Sequence, residues 1–444
     1  MNNLFDPKFS PSQSEYTAKD IEVLEGLEPV RRRPAMYVGG TDERALHHLV
    51  AELLDNAMDE AVAGHASFID LELTGDGAIT VRDNGRGIPV DPHPKIKKKS
   101  ALEVILTTLH AGAKFSNKVY QTPGGLHGVG LSVVNALSER LVVEVARDQK
   151  LWRQSYKRGK PDGPLQQIGT IKNRRGTSVT CYPDPQIFTT SINFRPALLY
   201  RMARSKAYLF RGIEIRWRSD EKWIKKDAGT PSKATLTFPG GLKDFLLIET
   251  DDREMVTSVP FTGEAKLTEG GTVEWAVSWP SDDGASFLHS YCNTVPTPEG
   301  GSHETGFRTA LTRGLKAYGE LAKVKRANQI TADDILTSTC GILSVFISEP
   351  QFHGQTKERL NSPEAAKMVE SSIKDHFEHW LTQDPELANT LLSRVLDRAE
   401  DRLRRRQERD VKRKSATRKL RLPGKLSDCT LAEATGTEIF LVEG

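Results

Sequence analysis

His48, Glu52 and Asn56 stand at four-residue intervals in DERALHHLVAELLDNAMDEAV, residues 42–62. On a helix that spacing stacks side chains one above another, so an imidazole, a carboxylate and an amide fall in one row. Such a row suits hydrolysis: a carboxylate base for a water, an imidazole to orient it, and an amide oxygen to hold Mg²⁺. It is also what the polar flank of an amphipathic helix offers. DNGRGIP, residues 83–89, is a second candidate. An acid before two closely spaced glycines makes a tight turn. It also presents one carboxylate where the backbone leaves room for a flat ligand, so Asp83 is placed to accept a hydrogen bond from an exocyclic amine such as that of adenine. GTS, 176–178, is a third and weaker signal.

The fourth is TPGGLHGVGLSVVNALS, 122–138. Gly124, Gly125, Gly128 and Gly130 lead into a helical row of Leu131, Val134 and Leu137. A glycine segment that opens a helix leaves amides free at the positive end of the helix dipole, which favours phosphate. The run from Gly125 through Gly130 to Ser132 has the spacing of a P-loop, but Leu131 stands where a P-loop carries its lysine, and GVGLSV lacks the third glycine of the dinucleotide fingerprint. A phosphate held here needs its cation from elsewhere in the chain.

Elements must converge to bring these groups together. Leu46, Leu49, Val50, Leu53, Leu54, Ala57 and Val62 give residues 42–64 the period of a core-facing helix ending at Gly64. FIDLELTGDGAITVRDNGRGIP, 68–89, alternates as two strands around a Gly75-Asp76-Gly77 turn. Residues 100–111 read as a helix, and a second helix follows the glycine segment. LVVEVARD, LWRQSYKRG, GTSVTCYP and IEIRWRSD then read as strands. A second mixed region begins near 231, with the strand patterns TVEWAVSWP, SFLHSYCNTV and GILSVFIS and the helical GFRTALTRGLKAYGEL. One last long helix is expected from about 363 through a basic stretch, until Pro423-Gly424 breaks it. TEIFLVEG, 437–444, reads as a short buried strand, as though the chain stopped inside a further domain.

A chain of 444 residues accommodates two or three domains. Hydrophobic residues at 37% and charged residues at 27% describe a soluble globular protein, and no apolar run approaches the ~20 residues of a membrane span. The polar N-terminus, MNNLFDPKFSPSQSEYT, has no signal-peptide pattern. Cys181, Cys292, Cys340 and Cys429 are too scattered for a metal site or a disulfide framework, which points to a reducing, cytoplasmic setting. The net charge of +3 hides two basic clusters, KIKKKS at 95–100 and RLRRRQERDVKRKSATRK at 402–419. Each reads either as solvated surface or as positive charge for a DNA backbone.

In chain order, E-x-x-x-N, D-x-G-x-G, GGLHGVG and GT form the motif series of the GHKL ATPases, the family of gyrase, Hsp90, histidine kinases and MutL. YTAKDIEVLEGLEPVRRRPAMYVG, HAGAKFSNKVYQTPGGLHGVGLSVVNALS, QFHGQTKERL and PGKLSDCT…TEIFLVEG narrow the match: residues 16 to the end resemble the B subunits of bacterial type IIA topoisomerases. FSNKVYQ and PGKLSDCT are more similar to the topoisomerase IV branch than to the gyrase branch. Asn84 and Ala113 depart from the usual Asp and Gly, and neither change removes a functional group.

The resemblance implies an α/β (α+β) protein. Residues 1–20 would be a dimerisation arm, 21–230 a GHKL (Bergerat) ATPase sandwich, and 231–412 a transducer domain with a left-handed βαβ module like part of ribosomal protein S5. Residues 413–444 would be a linker and the start of the Toprim cleavage domain. It implies that Glu52 polarises the attacking water with His48 orienting it, and that Asn56 holds Mg²⁺. Asp83 would read adenine with Thr177, bordered by Arg86, Gly87, Ile88, Pro89 and Arg147. Amides of Gly124, Gly125, Leu126, His127, Gly128, Val129 and Gly130 would wrap the phosphates, with Lys114 on the lid and Tyr120 against the nucleoside. Tyr16 would close over the nucleotide of a partner subunit.

The absent cation would come from the second domain, where Gln355 and Lys357 are similar to the loop that reaches the γ-phosphate. Glu443 matches the first acidic metal ligand of the Toprim domain. The cofactors implied are ATP and Mg²⁺. The partners implied are a second copy on ATP binding, the A subunit in a heterotetramer, double-stranded DNA and aminocoumarin-type inhibitors, with no membrane and a nucleoid-associated cytoplasmic location. A chain ending here is expected to hydrolyse ATP and dimerise without cleaving DNA. The rival readings are a gyrase B fragment, a MutL-like mismatch-repair ATPase, against which QTKERL and FLVEG argue, and a basic DNA-binding fragment without enzymatic activity.

Overall fold

The computed structural model describes residues 18–418 apart from 97, 115–119, 126, 190–191, 225–228, 269 and 283. Tyr16, Leu126 and Glu443, most of the expected arm, and the TEIFLVEG segment lie outside the described residues.

Two short helices, α1 (Glu28–Arg32) and α2 (Ala35–Val38), lead into α3 (Glu43–Val62). Asp42 starts α3 by accepting from the Ala45 amide at 3.0 Å, satisfying one of the donors that a helix start leaves free. The expected apolar row of α3 is buried from Leu46 through Ala57. Strands β1 (Phe68–Leu73) and β2 (Ile79–Asp83) form the expected hairpin. Then come α4 (Ala101–Thr107), α5 (Gly130–Ala136), β3 (Ser138–Arg147), β4 (Lys150–Lys157), β5 (Lys160–Pro161), β6 (Gln166–Thr170), β7 (Gly176–Pro183), α6 (Pro196–Leu209), β8 (Glu214–Ser219) and β9 (Lys233–Leu236).

The strands make one sheet in the order β5-β4-β3-β7-β2-β1-β8-β9, with β6 paired to β4. All pairs are antiparallel except β1 with β8. Inward residues of the central strands pack against α3, α5 and α6, and the first core fills this helix-on-sheet interface. Because side chains alternate along a strand, Ile79, Val81 and Asp83 all face that layer. Asp83 therefore occupies a position that the alternation reserves for an apolar residue. The first sheet also extends past the expected division at 230, since β9 pairs with β8.

The second unit contains α7 (Leu242–Glu249), β10 (Phe261–Lys266), β11 (Thr272–Ser278), β12 (Phe287–Cys292), β13 (Val295–Pro296), α8 (Ser302–Leu321), α9 (Ala332–Leu336), β14 (Cys340–Phe346), α10 (Pro363–Gln383) and α11 (Pro385–Arg418). Its sheet runs β10-β11-β14-β12-β13. β12 and β14 are parallel neighbours joined through α8 and α9, a βαβ unit. α8 and α10 cover the sheet and share the second core with the start of α11. The single long helix expected from 363 is two helices. Proline at 385 lacks an amide hydrogen and its ring disfavours helical geometry at Asp384, which is extended (φ −132°, ψ 90°). The Asp384 carboxylate then caps the new helix, accepting from the Leu387 amide at 3.1 Å. Among the described residues no helix is long and apolar enough to cross a membrane.

Candidate functional site

The α3 row, the end of β2, the glycine segment and the loop after β14 converge on one cavity of about 340 Å³. Glu52 and Asn56 form part of its floor, and Gln355 and Lys357 enter from the second unit. Lys357 is the decisive arrival. Its ammonium lies 3.2 Å from Glu52 Oε1, and both side chains are almost completely buried. Burial alone would lower the lysine's pKa, but the carboxylates of Glu52, Asp55 and Asp59 outweigh it and hold the ammonium above its usual range. Lys357 thus stays charged inside the protein. Gly130 lets the start of α5 approach the same carboxylate, since a Cβ there would stand 2.1 Å from Glu52 Oε2.

His48 Nε2 lies 3.6 Å from Glu52 Oε1. Burial lowers its pKa, and the charge of Lys357 opposes protonation further, although Glu52 pulls the other way. The imidazole is therefore held toward its neutral form, able to orient a neighbour without adding charge. His48 stands beside Glu52 but off the cavity wall. Asn56 donates to the Glu52 carbonyl at 2.7 Å and its Oδ1 accepts from Lys114 at 2.8 Å.

At the other end, Asp83 Oδ1 accepts from the Gly85 amide at 2.7 Å and the Thr177 amide at 3.4 Å. Burial nevertheless pushes its carboxyl up to about 6. The Ile88 amide donates to Thr177 Oγ1 at 3.2 Å, and Arg147 donates to the Gly87 carbonyl at 2.8 Å. These bonds fix the turn after β2 against β3 and β7. Asp83, Gly87, Ile88, Pro89, Arg147 and Thr177 all border the cavity.

The glycine segment is tied down by acids that the sequence analysis did not single out. Asp59 accepts from the amides of Gly124 (2.6 Å) and Gly125 (3.3 Å), and pairs with Lys114 at 2.5 Å. Gly124 consequently sits behind the wall, whereas Gly125, His127, Gly128, Val129 and Gly130 line it. Glu60 binds the Arg86 guanidinium at 2.7 Å and the Tyr120 hydroxyl at 2.6 Å. Burial raises the Glu60 carboxyl, but these bonds outweigh it and bring it to about 2. Arg86 also lies over the Tyr120 ring at 5.0 Å. Asp59 and Glu60 were legible in principle: Glu52, Asn56, Asp59 and Glu60 follow at helical i+3 and i+4 steps. Among the described residues, no group of three or more His, Cys, Asp or Glu side chains is placed to hold a metal ion. A cation bound here would rely on Asn56 Oδ1 and on oxygens of its ligand, which suits Mg²⁺.

A deep cavity thus has a buried acid at one end and, at the other, a carboxylate, an amide and lysines from two parts of the chain around a glycine-led helix start. That arrangement matches a nucleotide with its phosphates toward Lys357.

Comparison with known proteins agrees. Residues 41–187 match the family model for histidine kinase-, DNA gyrase B- and HSP90-like ATPases, and 241–411 match the model for DNA gyrase B. The chain is 54% identical over 442 residues to the DNA topoisomerase 4 B subunit of Bartonella bacilliformis, covering 99% of this chain and 64% of that protein. It therefore spans less than two thirds of that relative's length. The topoisomerase IV ATP-binding domain of Francisella tularensis, solved with a small-molecule inhibitor, aligns with a TM-score of 0.69 at 33% identity, covering 86% of this chain and 99% of that one. The 43K ATPase domain of Thermus thermophilus gyrase B, solved with an aminocoumarin, aligns with a TM-score of 0.68 at 35% identity, covering 87% and 98%.

Proposed function

The chain belongs to the family of DNA topoisomerase IV and gyrase B subunits, and from that premise we propose that it is the ATP-hydrolysing part of a topoisomerase IV B subunit. The observation that carries the reading is the entry of Lys357 into the cavity of Glu52, Asn56 and Asp83.

Asp83 accepts from the adenine amine and the turn after β2 frames the base. Amides of the glycine segment from Gly125 to Gly130 surround the phosphates. Asn56 would hold Mg²⁺, which would supply charge neutralisation at the phosphates. The γ-phosphate competes with Glu52 for Lys357, and a triphosphate that draws the ammonium away frees the carboxylate. Glu52 then takes the proton of an attacking water, which His48 orients. The lysine stabilises charge on the phosphoryl oxygens. Because Lys357 belongs to the second unit, hydrolysis changes what holds the two units together.

In the whole protein this would drive closure of a dimer of B subunits around double-stranded DNA, with Tyr16 crossing to the partner copy. The A subunit would supply strand cleavage. Relaxation and decatenation, needed for chromosome segregation in the bacterial cytoplasm, would follow. Aminocoumarin-type inhibitors would occupy the Asp83 end. We also read residues 21 to about 236 and 237 to about 412 as the ATPase and transducer domains, with the Toprim domain beginning after them. Steady-state phosphate release with Mg-ATP, blocked by an aminocoumarin, tests the ATPase. Decatenation by the full-length protein with its A partner tests the rest. An absence of phosphate release would sink the reading.

A further inference from the structure

Beside Lys357, a second feature of the second unit reaches the α3 cavity: the turn between β12 and β13. Asn293 and Thr294 there both have positive φ, 51° and 64°. A β-branched residue rarely takes that conformation, so the turn is held by what it touches. The Asn293 side chain is buried, and its bonds run in two directions. Its Nδ2 donates to the Ile347 carbonyl at 2.9 Å, and its Oδ1 accepts from the Ile347 amide at 2.9 Å. The same Nδ2 donates to the Pro123 carbonyl at 2.8 Å, across the boundary between the two units. Thr294 is gripped from the other side: its carbonyl accepts from Lys206 Nζ at 2.6 Å, and that ammonium meets Asp55 of α3 at 2.5 Å.

The bonds to Ile347 serve the second sheet. The bond to Pro123 does nothing for it. Pro123 precedes Gly124, whose amide is bound by Asp59, and Ile347 follows β14 on the way to the loop that carries Lys357. Gly124 is also where the backbones meet, since a Cβ there would stand 2.9 Å from the Asn293 carbonyl. One amide group therefore joins the root of the glycine segment to the root of the Lys357 loop. Asparagine tolerates positive φ better than most residues, and here its side chain is also fully engaged.

We propose that Asn293 is a positioning residue for ATP hydrolysis: it couples the glycine segment to the Lys357 loop, so that the second unit docks fully only when that segment is in place. Thr294, through Lys206 and Asp55, anchors the turn to the catalytic helix. The proposal rests on the ATPase reading above.

The test uses the whole chain and the variant Asn293→Gly, which keeps the backbone conformation and removes the amide. Three quantities are read: ADP affinity by calorimetry, steady-state ATP turnover, and the change in solution scattering on adding a non-hydrolysable ATP analogue. ADP affinity should stay within about twofold. Turnover at saturating ATP should fall about tenfold or more, as expected for losing buried hydrogen bonds from the reactive arrangement. The analogue-driven scattering change should shrink or vanish. Asn293→Asp keeps the acceptor for the Ile347 amide and removes the donor to the Pro123 and Ile347 carbonyls, and should give the same pattern, which keeps the proposal testable should Asn293→Gly fold poorly. Wild-type turnover with a wild-type scattering change in both variants would overturn it. So would a loss of ADP affinity parallel to the loss of turnover, which marks a merely structural role. If the unaltered chain releases no phosphate, the ATPase reading itself has failed, and the two failures are distinguishable.

Discussion

Replacing Asp83 by asparagine should make the protein more stable at high pH relative to wild type than at low pH. Asp83 faces the core layer and is 7% exposed. Its carboxyl is raised by burial from 3.8 to about 6, with two backbone amides only partly compensating. An acid whose folded pKa lies above its unfolded value binds its proton more tightly when folded. Wild type therefore loses stability as pH rises from about 4 to about 6, and the loss is complete above the folded pKa. A shift of this size corresponds to about 3 kcal/mol. The substituted amide cannot ionise and escapes the loss. Its Oδ1 still accepts from Gly85 and Thr177, while its Nδ2 needs an acceptor, an added cost of about 1–3 kcal/mol that does not vary with pH. The decisive quantity is thus the difference between the mutant's effect at pH 8 and at pH 4, which should be about 3 kcal/mol in favour of the amide. Urea unfolding at both pH values measures it, and an equal effect at the two would refute the reasoning. In the proposed function the carboxylate would accept from an adenine amine with one oxygen while the other holds the turn, which an amide oxygen alone would not do. Wild-type ADP affinity should accordingly weaken as pH falls through about 6, and the Asp83→Asn variant should bind weakly at every pH.

Glu52→Gln should keep ATP binding and slow turnover by about 10²–10⁴-fold, the usual contribution of a positioned general base; near-normal phosphate release would remove Glu52 from that role. Lys357→Ala should cut turnover by about 10²-fold or more with ADP affinity nearly unchanged. Normal hydrolysis by that variant, together with failure of Lys114→Ala, would move the essential charge to the glycine segment's own lysine. Lys206→Met leaves Asp55 charged and buried without its partner, so it should destabilise by about 3–5 kcal/mol. Adding Asp55→Leu should recover most of that loss in thermal melts, and no recovery would argue that the pair is not energetically coupled.

Local patterns carried the fold further than they carried the site. The α3 row was visible because helical spacing and apolar periodicity coincide there, and the β1–β2 hairpin because its turn residues demand it. The inward position of Asp83 follows from simple alternation: once Ile79 and Val81 are core, the residue two further on must face the core as well. The second break, at Asp384-Pro385, was equally available in the sequence, but the strong apolar period running on either side masked it. Lys357 is a different matter. No local pattern ties it to Glu52, 305 residues earlier, and only the family resemblance placed it there. Asn293 fell inside the expected strand SFLHSYCNTV, which the structure divides into β12 and β13 by a turn at Asn293 and Thr294, and the bond that gives its side chain meaning is made to another unit. Contacts of that kind are set by how two cores dock, and no periodicity within either core encodes the docking.

The acids of α3 explain why the cation had to come from outside the glycine segment. Glu52, Asp55 and Asp59 each pair with a lysine, and the lysines come from the second unit, from α6 and from the lid: Lys357, Lys206 and Lys114. A buried ion pair contributes little net stability, but losing one member is costly. Each lysine is therefore firmly held yet exchangeable for a partner that offers equal negative charge. A triphosphate offers such charge to Lys357 and Lys114, both of which line the cavity. It offers none to Lys206, which is absent from the cavity wall and is bound to Asp55 and the Thr294 carbonyl. On the proposed function, a nucleotide would compete for two of the three pairs, and the third, which joins the turn at Asn293 and Thr294 to the helix, lies away from the cavity. A lysine built into the glycine segment would meet the phosphate whatever the second unit did, and hydrolysis would then have no consequence for domain position. On the proposed function, placing the charge on the far unit ties the chemistry to the docking of that unit, while Lys206 keeps its contacts with Asp55 and the Thr294 carbonyl outside the cavity.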